Sequence, residues 1–159
     1  MQTAPHLPAS PLVWNDSLLL GYEPMDASHR EFVEVVTSLM KATDDQLGAS
    51  LELVERHLLE HFNSEDRWMA ETDYPARECH VNEHAAVLRS LKQVKELWSE
   101  GDAAIVRRFG SELCQWFPGH ADYLDSALSH WMSKIRMGGK PVVVRHKLSF
   151  GEHSISETK

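Results

Sequence analysis

Two residue pairs dominate the sequence: His61/Glu65 and His80/His84, each four positions apart, with a turn between them. On a helix such partners lie about 40° apart around the axis, so each pair projects from one face. Imidazole and carboxylate gathered on one face make a metal site. Ten histidines in 159 residues should give about 0.6 H-x-x-x-H pairs by chance. The chain has His57/His61 and His80/His84. Spacing alone is therefore weak support, and the test is whether the fold brings the pairs together.

The elements that would position them read as helices. Residues 1–13 hold three prolines and suggest an irregular arm, and Trp14 to Pro24 carries turn signals with apolar residues able to cover a bundle end. A first helix is expected from Met25 or Asp26 to about Thr43, with Asp26 as N-cap and Phe32, Val33, Val36, Leu39 and Met40 at helical spacing. A turn follows at 44–48. A second helix is expected over about 49–71 and a third over about 76–100, after Pro75 and before Gly101. A fourth should run from about Asp102 to Met137, kinked at Pro118 and Gly119. Four long helices on short turns predict an all-α, up-down-up-down four-helix bundle. The expected division is a bundle with its N-terminal arm over 1–137 and a short C-terminal tail over 138–159.

In antiparallel neighbours, two residues share a level when their midpoint falls in the connecting turn. His61/Glu65 and His80/His84 meet this condition at Thr72–Pro75. His80/His84 and His120/Asp125 meet it at Gly101/Asp102, and His29 with His61/Glu65 meets it at 44–48. Seven candidate ligands thus reach one level: His29, His61, Glu65, His80, His84, His120 and Asp125. Five imidazoles and two carboxylates exceed one tetrahedral zinc. They suit two metals bridged by carboxylate, and iron rather than magnesium or calcium. His120 and Asp125 are five apart, about 140° on an ideal helix, so the Pro118 kink or a local widening must bring them together.

The motifs resemble the hemerythrin family in its bacterial form. MDASHREF (25–32), HFNSED (61–66), HVNEH (80–84) and WFPGHADYLD (116–125) match its ligand segments, and WND and LGYEPMD match the approach to the first helix. The resemblance spans about 13–137. It implies two iron ions in an oxo- or hydroxo-bridged centre. His80, His84 and His120 would bind one iron, His29 and His61 the other, and Glu65 and Asp125 would bridge. The iron with two histidines would keep an open position for dioxygen. Reversible dioxygen binding, for storage, delivery or sensing, is the implied function. A di-iron enzyme with peroxidase, oxidase or nitric-oxide-handling activity is the competing reading.

Asp66 stands where the family has a second Glu, a change expected to matter little. Ala121 stands where a larger apolar residue is usual, which predicts a roomier oxygen pocket walled by Phe32, Phe62, Trp116, Phe117 and Ala121. His57 reads as a surface or supporting histidine rather than a ligand. His6, His130, His146 and His153 read as solvated.

A net charge of −8 argues against nucleic acid as the main partner, and no apolar run suggests a membrane span. No secretory leader is visible, and Cys79 and Cys114 read as reduced thiols, so the expected location is cytoplasmic. Expected partners are dioxygen, other small ligands such as azide or nitric oxide, and a protein bound through the C-terminal tail.

Overall fold

The computed structural model describes residues 12–136 and residue 138. The arm over 1–11 and nearly all of the expected tail, with His6, His146 and His153, lie outside the described residues. The described helices are α1 (Glu23–Lys41), α2 (Leu47–Glu71), α3 (Arg77–Ser99), α4 (Ala103–His120) and α5 (Ser126–Arg136). A π-helical turn, Ala121–Asp125, joins α4 to α5. α1 packs on α2 and α4, and α3 packs on α2 and α4, closing the four-helix bundle. Among the described residues no helix is long and apolar enough to cross a membrane.

α1 starts earlier than its spacing suggests, because Pro24 is already within its first turn, where its fixed φ and missing N–H cost nothing. Asp26 is therefore not the N-cap. Its buried carboxylate accepts from the backbone N–H of Leu20 at 2.8 Å and of Gly21 at 3.0 Å, pinning the loop that enters the bundle. Gly21 has φ +91°, which a side chain would disfavour.

Helix ends follow local chemistry. The Gln46 side chain accepts the Thr43 N–H at 3.1 Å, and α2 begins at the next residue. Gly101 turns the chain at φ +95°, and Asp102 caps α4 by accepting the Ile105 N–H at 3.1 Å.

Two apolar clusters lie in the bundle. The larger includes Phe32, Val36, Leu39, Leu58, Phe62, Leu113, Phe117 and Ala121. The smaller includes Leu20, Met25, Met69, Tyr74 and Leu128, with Trp131 packed against it. Trp131 also donates from Nε1 to Thr72 Oγ1 at 2.9 Å, tying α5 to the α2–α3 turn. Met40, expected in the core, is 38% exposed.

Pro118 does not interrupt α4, which continues to His120. The departure comes three residues later, where Ser126 N–H bonds Ala121 O in the i→i+5 pattern.

α1 and α4 approach closely at Gly110. A Cβ there would lie 2.9 Å from Met40 Sδ and 3.2 Å from Leu39 Cδ2. Gly110→Ala should stay within ~1 kcal/mol of the parent, since helix propensity improves by about that amount while Met40 swings outward. Gly110→Val should destabilise by ~1–3 kcal/mol through overpacking, read as a lower midpoint in chemical denaturation.

Candidate metal centre

All seven predicted ligands converge, and all are buried. They form two groups, each with its donor atoms within 4.8 Å of one another: His80, His84 and His120 with both carboxylates, and His29 and His61 with both carboxylates. The two carboxylates divide their oxygens between the groups. Glu65 Oε1 lies 3.3 Å from His61 Nε2, while Oε2 lies 3.3 Å from His80 Nε2 and 3.1 Å from His84 Nε2. Asp125 Oδ2 lies 2.9 Å from His29 Nε2, while Oδ1 lies 3.0 Å from both His80 Nε2 and His120 Nε2.

The π turn makes this possible. A regular helix would point His120 and Asp125 apart, and the widened turn brings both to one face.

These contacts fit a metal-binding set. Both ring nitrogens of His29 and His80, and both oxygens of Glu65 and Asp125, are buried without a hydrogen-bond partner. Donor atoms about 2.1 Å from a shared ion at right angles would lie ~3.0 Å apart, close to the spacings seen. His84 Nε2 and His120 Nε2 approach to 3.3 Å and can aim their lone pairs at one ion. Charges this deep require a cationic partner.

The outward-facing nitrogens reveal residues that spacing did not single out. His84 Nδ1 donates to Asp66 at 2.8 Å, so Asp66, itself outside both donor groups, orients the His84 ring. His120 Nδ1 donates to Glu83 Oε1 at 2.8 Å, an oxygen that also accepts from Trp116 Nε1 at 2.9 Å. His61 Nδ1 and Ser28 Oγ are hydrogen-bonded at 2.6 Å, and with the lone pair of Nε2 turned to the centre it is the Nδ1–H that donates. Such partners fix tautomer and ring plane.

His57 lies outside both donor groups. It is buried, however, stacking on His61 with ring centroids 5.6 Å apart and placing Nδ1 3.6 Å from Glu31. It is a supporting histidine, not a surface one. His130 is exposed, as expected.

Four of the five expected pocket residues divide between the two donor groups. Phe117 meets His29 edge-on at 5.0 Å and stacks on Phe32 at 4.4 Å. Phe62 stacks on His84 at 4.1 Å and Trp116 on His120 at 4.2 Å. Ala121 is buried in the main core.

Residues 20–130 match the hemerythrin HHE cation binding domain. The chain belongs to the hemerythrin family. It is 32% identical over 121 residues to the bacteriohemerythrin of Ralstonia nicotianae, covering 76% of this chain and 88% of that one. It is 25% identical to the bacteriohemerythrin of Stenotrophomonas maltophilia, over 80% and 91% of the two chains. It is 23% identical to the myohemerythrin of Riftia pachyptila, over 73% and 89%. No solved structure matches the chain. The two donor groups of this hemerythrin domain fit the family's di-iron centre.

Without metal the cluster has opposed titrations. Burial, then the charges of His80 and His120, lower the His84 pKa from 6.5 to about 2. Burial, then His29, holds His61 well below 6.5. For both, the unfolded chain takes up protons first, so their stabilisation is complete above pH 6.5 and lost as pH falls. Glu65 is raised well above 4.5 by burial and then by Asp125, and its folded-state proton offsets one of these two histidines. Burial resists charge on His80 too, but the Asp125 and Glu65 carboxylates beside it outweigh that and raise its pKa to about 9. Its stabilisation is complete below 6.5 and lost as pH rises toward 9.

The metal-free domain should therefore melt highest near pH 6.5 and lose stability on both sides. Iron binding should raise the melting temperature by linkage and remove the alkaline decline, because the ligands are then deprotonated throughout. Thermal melts of both forms across pH check this. A metal-free stability that climbs steadily to pH 9 would contradict it.

Proposed function

We propose that this hemerythrin domain binds dioxygen reversibly at a non-haem di-iron centre. The observation that carries the reading is the division of each carboxylate between the two histidine groups. His80, His84 and His120 would hold one iron, His29 and His61 the other, with Glu65 and Asp125 bridging. The iron pair, when bound, supplies the two electrons that reversible dioxygen capture requires.

The chain's own contribution is placement and dryness. Asp66, Glu83 and Ser28 fix three imidazole rings through Nδ1, so each Nε2 faces the centre. The two-histidine group has fewer protein donors, which leaves room for a small ligand. The stacked pair Phe32 and Phe117, both 1% exposed, walls that side against water. Such a wall suits an apolar diatomic molecule. Azide and nitric oxide are small enough to compete for the same position.

Burial of the centre favours binding over turnover: none of the seven donor residues is more than 4% exposed. Two free cysteines, exposed Cys79 and buried Cys114, support a reducing, cytoplasmic location.

Purified protein reconstituted anaerobically should hold two irons per chain. Mixing the di-iron(II) form with oxygen should produce a charge-transfer absorption that disappears on deoxygenation. Fast conversion to a diferric product without recovery would favour the oxidase or peroxidase reading instead. One zinc per chain, with no iron retained after reconstitution, would overturn the di-iron assignment.

A further inference from the structure

The two halves of the centre are supported differently. In the three-histidine half, two ligands are backed by carboxylates: Asp66 behind His84 and Glu83 behind His120, each at 2.8 Å. In the two-histidine half, His61 is backed by the neutral hydroxyl of Ser28 at 2.6 Å. The outward nitrogen of His29 has no hydrogen-bond partner among the described residues. A carboxylate acceptor polarises the Nδ1–H and strengthens Nε2 as a donor, whereas a hydroxyl does so weakly. The first half thus has three imidazoles and two supporting anions. The second has two imidazoles and no supporting anion.

Access differs in the same sense. A cleft of about 280 Å³ opens beside the second half, lined by Ser28, Glu31, His57, Glu60 and His61 among others. Glu31 and Glu60 are exposed carboxylates at this cleft, and they favour an approaching cation. Ser28 and His61 line this cleft, so it is an approach to the weaker half that Phe32 and Phe117 do not cover.

We infer that the His29/His61 metal position, backed only by the Ser28 hydroxyl and by no carboxylate, is the labile one, filled second through this cleft and released first. The inference rests on the two-metal reading above. Ser28 is a positioning residue: it acts through His61 and touches no metal.

The experiment is an anaerobic titration of metal-free protein with Fe(II), and separately with Co(II), followed by timed release to a chelator. The parent should bind two ions in distinct steps and lose one of them faster. Ser28→Ala should weaken the second step by about tenfold or more, the range seen for lost supporting hydrogen bonds, and leave the first unchanged. Ser28→Thr, which keeps the hydroxyl, should restore parental behaviour. Ser28→Asp should tighten the second step and slow its release. Asp66→Asn should weaken the first step instead. Melting of each metal-free variant separates these effects from misfolding.

Binding of only one ion at saturation would defeat the two-metal reading itself. Two ions bound with equal affinity, or a second step indifferent to Ser28→Ala and Ser28→Asp in folded protein, would overturn the role of Ser28 alone.

Discussion

Two carboxylates buried without a hydrogen-bond partner among the described residues form the constraint on which this bundle depends. Glu65 and Asp125 are both fully buried, each facing imidazoles of both histidine groups. Taking an uncompensated carboxylate out of water costs several kcal/mol, comparable with the net stability of an entire domain. Protonated histidines can meet part of that cost, but they repel one another. Two divalent cations would meet it more fully, with the carboxylates lying between them to offset their mutual repulsion. The apolar clusters on either side keep water from doing the same work less specifically.

Much of this was legible from the chain. Helical spacing marked the pairs, and short turns forced antiparallel neighbours, so midpoint positions placed all seven ligands at one level. That inference works because rise per residue is nearly constant along a helix. It carries no information on what stands behind each ring. Glu83 is adjacent in sequence to His84, yet it serves His120 on another helix. Asp66 follows Glu65 and serves His84 across the bundle. Each depends on helix rotation and side-chain reach, which spacing leaves open. His57 was likewise recognisable as a non-ligand, while its burial against His61 depends on packing between α1 and α2.

Local irregularity was visible only in outline. The five-residue separation of His120 and Asp125 demanded an unusual turn, and Pro118 drew attention as its source. Proline near a helix end can be accommodated when its neighbours tolerate the lost hydrogen bond, and here the helix runs on past it. The widening falls instead between the two ligands that require it. The start of α1 shows the same lesson. Asp26 has the chemistry of an N-cap, but Pro24 already occupies the first turn, and the carboxylate is spent on the preceding loop.

The π turn also couples the placement of α5 to the geometry of the centre. A single extra residue in a helix advances everything beyond it by about 100° and 1.5 Å. Leu128, buried in the smaller cluster, and Trp131, held by Thr72, sit in a phase set by that extra residue. Deleting one residue between His120 and Asp125 would restore a regular helix. It would also swing these side chains out of register with α1 and the α2–α3 turn. One extra residue in that turn thus sets both the meeting of His120 with Asp125 and the phase in which α5 packs on the far end of the bundle.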